Sequence, residues 1–172
     1  MNMSENHGVR LPLAYAVAGL LCAGCVPAQQ QKPTIDPRET FDSAALTNAL
    51  QPGHSIITGQ AFATTVGGQV RYGAGVPVYL VPMTPYSEEC ARIMNGHATS
   101  SCGRNLADYR KTTTADAEGR FKFPGLLPGR WYLEASITWG VPTQLGVATT
   151  GGTFSAIVEI PEDGQTVEAI VH

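Results

Sequence analysis

The chain has 172 residues and a net charge of −3, with no basic run and no Arg/Lys cluster flanked by aromatics, which argues against nucleic acid as a partner. Its 19 glycines and 12 prolines are spread among Val, Thr, Ile and Tyr, a pattern that suits short strands joined by tight turns and excludes a helical bundle. The length provides one core and one domain.

The apolar stretch from Leu11 to Leu21 is shorter than the roughly 20 residues a membrane-crossing helix needs, but it fits the hydrophobic centre of an export signal. It runs into Leu20-Leu21-Cys22-Ala23-Gly24-Cys25, where two small residues precede a cysteine. This segment resembles the bacterial lipobox, with Cys22 at the position usually held by leucine. The resemblance implies a signal peptide over residues 1–24 and a lipid, palmitate included, on Cys25. A secretory signal cut near Ala23 or Ala28 is the competing reading. Val26 rather than aspartate follows the cysteine, which resembles outer-membrane sorting. The expected location is the bacterial cell envelope, lipid-anchored to the outer membrane and facing the periplasm or the cell surface.

Residues 25–54 read as a polar tether followed by a short helix. Asp36-Pro37-Arg38-Glu39 places an N-cap, a proline at the first helical position and a capping-box glutamate in order. Phe41, Ala44, Ala45, Ala49 and Leu50 fall near one face, and Gln51-Pro52-Gly53 stops the helix.

Strands are expected over residues 55–172. Ile56 to Phe62 alternates with period two. Val76, Val78 and Leu80 line one face of a strand bracketed by Pro77 and Pro82, which places it at an edge or puts the prolines at its ends. Residues 110–115 form a strand. Asp116-Ala117-Glu118-Gly119 has the residues of a type I turn, predicting a hairpin with Phe121 and Phe123 turned inward. Trp131, Leu133, Ala135 and Ile137 share the next inward face, which Trp139 closes. Phe154, Ala156, Val158 and Ile160, then Val167, Ala169 and Val171, mark two more strands. About seven strands, each with one apolar face, predict an all-β, two-sheet sandwich.

Residues 83–109 interrupt this rhythm and read as a long loop with one helical turn. Cys90 and Cys102 lie in it, and in an exported protein such a pair predicts a disulfide. The alternative is a metal site using His97 and both thiolates, which would need a fourth ligand. Long loops on rigid scaffolds carry function, so Tyr86, Glu89, Arg92 and Tyr109 are the expected contacts for a glycan or protein partner.

The run Thr114-Ala115-Asp116-Ala117-Glu118-Gly119-Arg120-Phe121-Lys122-Phe123-Pro124-Gly125-Leu126-Leu127-Pro128-Gly129-Arg130-Trp131-Tyr132-Leu133, with Ile57-x-Gly59-x-Ala61 and Gly75-Val76-Pro77-Val78-Tyr79-Leu80 before it, resembles the carboxypeptidase regulatory-like (transthyretin-like, CNA-B-like) domain family. Trp131 stands where that family usually has tyrosine. The resemblance implies a prealbumin-like Greek-key sandwich of seven strands, used as a structural, adhesive or glycan-binding module. The matching residues are turn and core residues, so no active site is carried over.

No catalytic residue, metal site or cofactor is expected. His54, His97 and His172 share no ligand spacing, and Ser87, Ser100 and Ser101 lack a Gly-x-Ser-x-Gly elbow. Asp116 and Glu118, with Asp108, could in principle hold calcium, but a solvated turn accounts for them. The leading expectation is a non-catalytic envelope module that binds another protein through residues 83–109. The alternative is a carbohydrate-binding module using aromatics from Tyr72, Tyr79, Tyr86, Tyr109, Tyr132 and Trp139.

Overall fold

The computed structural model describes residues 34–95 and 100–172. After helix α1 (Ser43–Ala49) come β1 (Ser55–Thr64), β2 (Val70–Tyr72) and β3 (Pro77–Pro82). Helices α2 (Pro85–Asn95) and α3 (Cys102–Asn105) and a 3-10 turn (Ala107–Tyr109) follow, then β4 (Lys111–Thr114), β5 (Arg120–Leu126), β6 (Gly129–Thr143), β7 (Gly146–Ile160) and β8 (Thr166–Val171).

The strands form two sheets packed as a sandwich. In the first, β1 is flanked by β5 antiparallel and β8 parallel, and its far end pairs with β2. The second has the order β4-β3-β6-β7, antiparallel throughout. Among the described residues there are eight strands, because the three-residue β2 joins the expected seven. Alternation places the core as expected: Ile57, Val78, Leu80, Phe121, Phe123, Trp131, Leu133, Ala135, Ile137, Val158, Ile160, Ala169 and Val171 are all buried in one cluster. Each large aliphatic or aromatic side chain among them contributes about 1.5–3 kcal/mol by leaving water. The Trp131 indole N–H donates to the Leu127 carbonyl at 3.2 Å, so its polar edge is satisfied inside the core.

Three expectations need correction. The short helix starts at Asp42 rather than Asp36: the Asp42 carboxylate accepts the Ala45 N–H at 3.0 Å, and the residue it buries is Leu46. Asp36 lies outside any helix and accepts the Ser101 hydroxyl at 3.0 Å. The turn Asp116–Gly119 does not make a hairpin, because β4 pairs with β3 and β5 with β1; the chain crosses from one sheet to the other there. The turn chemistry is nonetheless as read, with Asp116 Oδ1 accepting the N–H groups of Glu118 and Arg120 at 3.0 and 2.8 Å and Gly119 at φ +77°. Finally, residues 83–109 are mostly helical. Thr84 and Ser87 cap α2 reciprocally, the Thr84 backbone N–H donating to Ser87 Oγ at 2.7 Å and the Ser87 N–H to Thr84 Oγ1 at 3.3 Å, Pro85 occupies the first turn, where its missing N–H costs nothing, and Tyr86, Cys90 and Ala91 face inward at helical spacing.

This helical segment covers the outer face of the second sheet. Leu46, Val81, Tyr86, Cys90, Cys102 and Leu106 make a second, smaller core there, with Phe41, Met94 and Tyr109 at its margin. Cys90 and Cys102 form the expected disulfide, with Cα atoms 5.5 Å apart, so their sulfurs bind each other rather than a metal. His97 lies outside the described residues. Pro77 and Pro82 stand at the two ends of β3, which is a central strand flanked by β4 and β6; of the two positions open to them, the strand ends are the ones they take.

Candidate functional site

Three of the four side chains expected to contact a partner are engaged within the protein. The Tyr86 ring is only 4% exposed, packs edge-on against Phe41 with centroids 5.2 Å apart, and its hydroxyl accepts the Asn105 side-chain N–H at 2.7 Å. Tyr109 packs against the same Phe41 at 5.6 Å. The Glu89 carboxylate accepts the backbone N–H groups of Arg38 and Glu39, both at 2.8 Å, and so straps the segment before α1 onto α2. Arg92 is exposed. The four do not converge on a concavity.

Beneath the helices lies a small cleft of about 60 Å³ bordered by Tyr79, Met94, Leu106, Arg110, Tyr132 and Glu134. The Arg110 guanidinium sits 4.4 Å over the Tyr79 ring, covering the face a ligand would use. Burial raises the pKa of Glu134, opposed by the Tyr132 hydrogen bond and the Arg110 charge. Burial likewise raises that of Tyr132. The volume falls well below the roughly 300–1,000 Å³ of ordinary ligand sites.

A larger groove of about 540 Å³ opens at the far end of the sandwich. Its origin is topological. Strands β6 and β7 remain paired over fifteen positions, from Gly129↔Ile160 to Thr143↔Gly146, and run past the core. On β6 the inward series Trp131, Leu133, Ala135 and Ile137 continues as Trp139 and Val141, with Phe154 and Thr150 facing them from β7. Across the gap stand the end of β1 and the β1–β2 connection, which contribute Thr64, Thr65, Val66, Gly67, Gln69 and Arg71. The groove is thus a continuation of the sandwich interior past the packed core, where the inner-face residues Trp139 and Phe154 are only partly buried.

Arg71, Gln69 and Trp139 each have a neighbour that positions them. Arg71 pairs with the fully buried Ala63, and directly paired residues share a face, so its side chain is carried on the inner side of the sheet. Its Nη2 donates to the Gln69 side-chain oxygen at 3.3 Å, and the Gln69 backbone N–H donates in turn to Thr65 Oγ1 at 3.0 Å. Trp139 is half-buried and lies against Gly151. A Cβ at 151 would come within 3.0 Å of the indole and 2.1 Å of the Ile137 carbonyl oxygen, and φ is +114°. Glycine at 151 gives both the backbone its conformation and the ring its place.

No protein-family model matches the chain, and no curated protein matches it. The fold has a solved counterpart. A crystal structure of a candidate carbohydrate-binding protein from Pseudomonas aeruginosa is similar with a TM-score of 0.62, covering 77% of this chain and 97% of its own, at 23% sequence identity. At that identity the likeness is one of fold. Among the groove residues, only Trp139 is marked by the sequence as a candidate sugar contact; Phe154 reads as an inward strand residue. Arg71 and Gln69 carried no signal of their own, because their position in the groove depends on the register of a three-residue strand.

Proposed function

We propose that this protein is a non-catalytic carbohydrate-binding module, displayed at a bacterial cell envelope on a lipid carried by Cys25. The observation that carries the reading is the groove: an aromatic wall of Trp139 and Phe154 facing hydroxyls, an amide and a guanidinium, in a space of about 540 Å³. A pyranose presents an apolar C–H face, which packs on an aromatic ring, and a rim of hydroxyls, which exchange hydrogen bonds with Thr, Gln and Arg. The lining offers groups that hold a sugar rather than cleave one. The fold counterpart, described as a candidate carbohydrate binder, adds support of a weaker kind, since a fold alone does not carry a function.

Affinity electrophoresis through gels containing polysaccharides tests the site. Trp139→Ala should lower retention at least tenfold while leaving the melting temperature and far-UV circular dichroism close to those of the parent. Unchanged retention in a folded variant would place binding elsewhere.

A protein partner is the second reading. It is favoured by the tip of the β6–β7 arm, where Leu145 is 100% and Val147 77% exposed, apolar surface of the kind that marks an interaction site. Under this reading a photo-crosslinker at position 145 yields protein adducts in intact cells, whereas one at position 92 does not.

A further inference from the structure

We infer that the groove selects acidic glycans, those bearing a carboxylated sugar such as a uronate, and that Arg71 is the residue that reads the carboxylate. The inference rests on the carbohydrate-binding reading of the groove and names the class of sugar.

The argument begins with charge. Between Glu134 and Glu159 the chain contains no Asp, Glu, Lys or Arg, so the part of β6 and β7 that lines the groove is neutral. Among the described residues, the opposite wall supplies one charge, Arg71, and no carboxylate lines the groove. A net charge of −3 would oppose a polyanion at long range. At physiological salt, however, charges farther off than about 8 Å are largely screened, so the sign at the groove is that of Arg71. The acidic turn Asp116–Glu118 comes near the base of β2 through Gly119, whose Cβ position lies 3.2 Å from the Gly73 nitrogen. That turn has its own cation: Arg120 is 3.4 Å from Glu118 and 4.0 Å from Asp116.

Geometry supports the same conclusion. A guanidinium is a planar fork that matches a carboxylate with two parallel hydrogen bonds. The Arg71 fork is tethered at one nitrogen by Gln69, and Arg71 is exposed, which leaves the fork accessible to a ligand. Arg71 and Trp139 line one groove from opposite sheets. A uronate ring stacked on the indole therefore brings its carboxylate toward the cation. A neutral hexose would stack equally well but would offer the guanidinium only uncharged hydroxyl oxygens in place of a two-pronged anion. An amino sugar would meet a like charge.

Polygalacturonate and its fully methyl-esterified form make a matched pair of probes, because they share a backbone and differ in the carboxylate charge. With the full-length protein, the acid polymer should bind at least tenfold tighter than the ester at low salt, and the ratio should shrink as salt rises. Arg71→Gln should equalise the two polymers while keeping the weak binding to each. Arg71→Lys should restore the salt-dependent part without the full preference, and Trp139→Ala should lose both polymers. Equal or better binding of the ester, an acid preference that survives Arg71→Gln, or retention on a neutral glucan alone would overturn the acidic selectivity and leave the carbohydrate reading standing. Retention on none of the three polymers would overturn both.

Discussion

Asp163 shows how much one residue at a strand junction can hold. It sits in the turn between β7 and β8, yet its carboxylate accepts the His54 backbone N–H at 2.9 Å and lies 2.6 Å from His54 Nδ1, which ties that turn to the entry of β1. These contacts, the backbone hydrogen bond first, hold its pKa below the usual aspartate value. A depressed carboxylate pKa stabilises the fold fully above the unfolded value of about 4 and loses that contribution as pH falls through the lower folded value. Asp163→Asn should therefore melt lower than the parent at neutral pH, and the difference should close on acidification below about pH 4. A gap that stays constant from neutral to strongly acid pH would show that the carboxylate charge is not what matters. At this scale the core residues were legible, because inward positions in a strand recur with period two. The partners of Asp163 and Glu89 were not, since those bonds join residues far apart in the chain whose proximity depends on how whole elements pack.

Among the elements, the helical segment over the second sheet differs most from its expected form. Thr84 before Pro85, with Tyr86, Cys90 and Ala91 at helical spacing, is a helix signal. It was masked by the segment's few strong hydrophobes and by the Pro82–Pro85 cluster, which also reads as a turn. The Cys90–Cys102 disulfide links α2 to the start of α3. A loop this short contributes about 3 kcal/mol in the chain-entropy account. Reduction, or Cys90→Ser with Cys102→Ser, should lower unfolding free energy by about 2–3 kcal/mol in denaturant titrations. The loss should fall first on helical circular dichroism, because the sandwich core forms a separate hydrophobic cluster. Simultaneous loss of helix and sheet at the reduced midpoint would show that the two cores unfold as one. The β6–β7 arm was also longer than its hydrophobic pattern suggested. Beyond Ile137 the pairing continues through residues that are at most partly buried, and a ladder with so little buried face leaves little trace in the sequence.

For the whole molecule, the proposed arrangement is a stapled sandwich held at a membrane by its N-terminal lipid, with the groove at one end. No helix among the described residues is long and apolar enough to cross a membrane, and Cys25 lies outside them. If Cys25 carries the lipid, Cys25→Ser should abolish palmitate labelling and move the protein from the membrane to the soluble fraction. Continued labelling would exclude this anchor. By itself, the amino-acid sequence determined the all-β class, the inward set Phe121, Phe123, Trp131 and Leu133, the Asp116–Gly119 turn and the cysteine pair. These follow from local periodicity, turn chemistry and composition, which act between near neighbours in the chain. Only the tertiary structure decided that the Asp116 turn crosses between sheets, that Tyr86 is a core residue, and that Arg71, Trp139 and Gly151 share one groove. Those outcomes depend on which strands pair and where two sheets of unequal length stop covering each other. That balance is set by burial over the whole chain, and no local stretch of residues contains it.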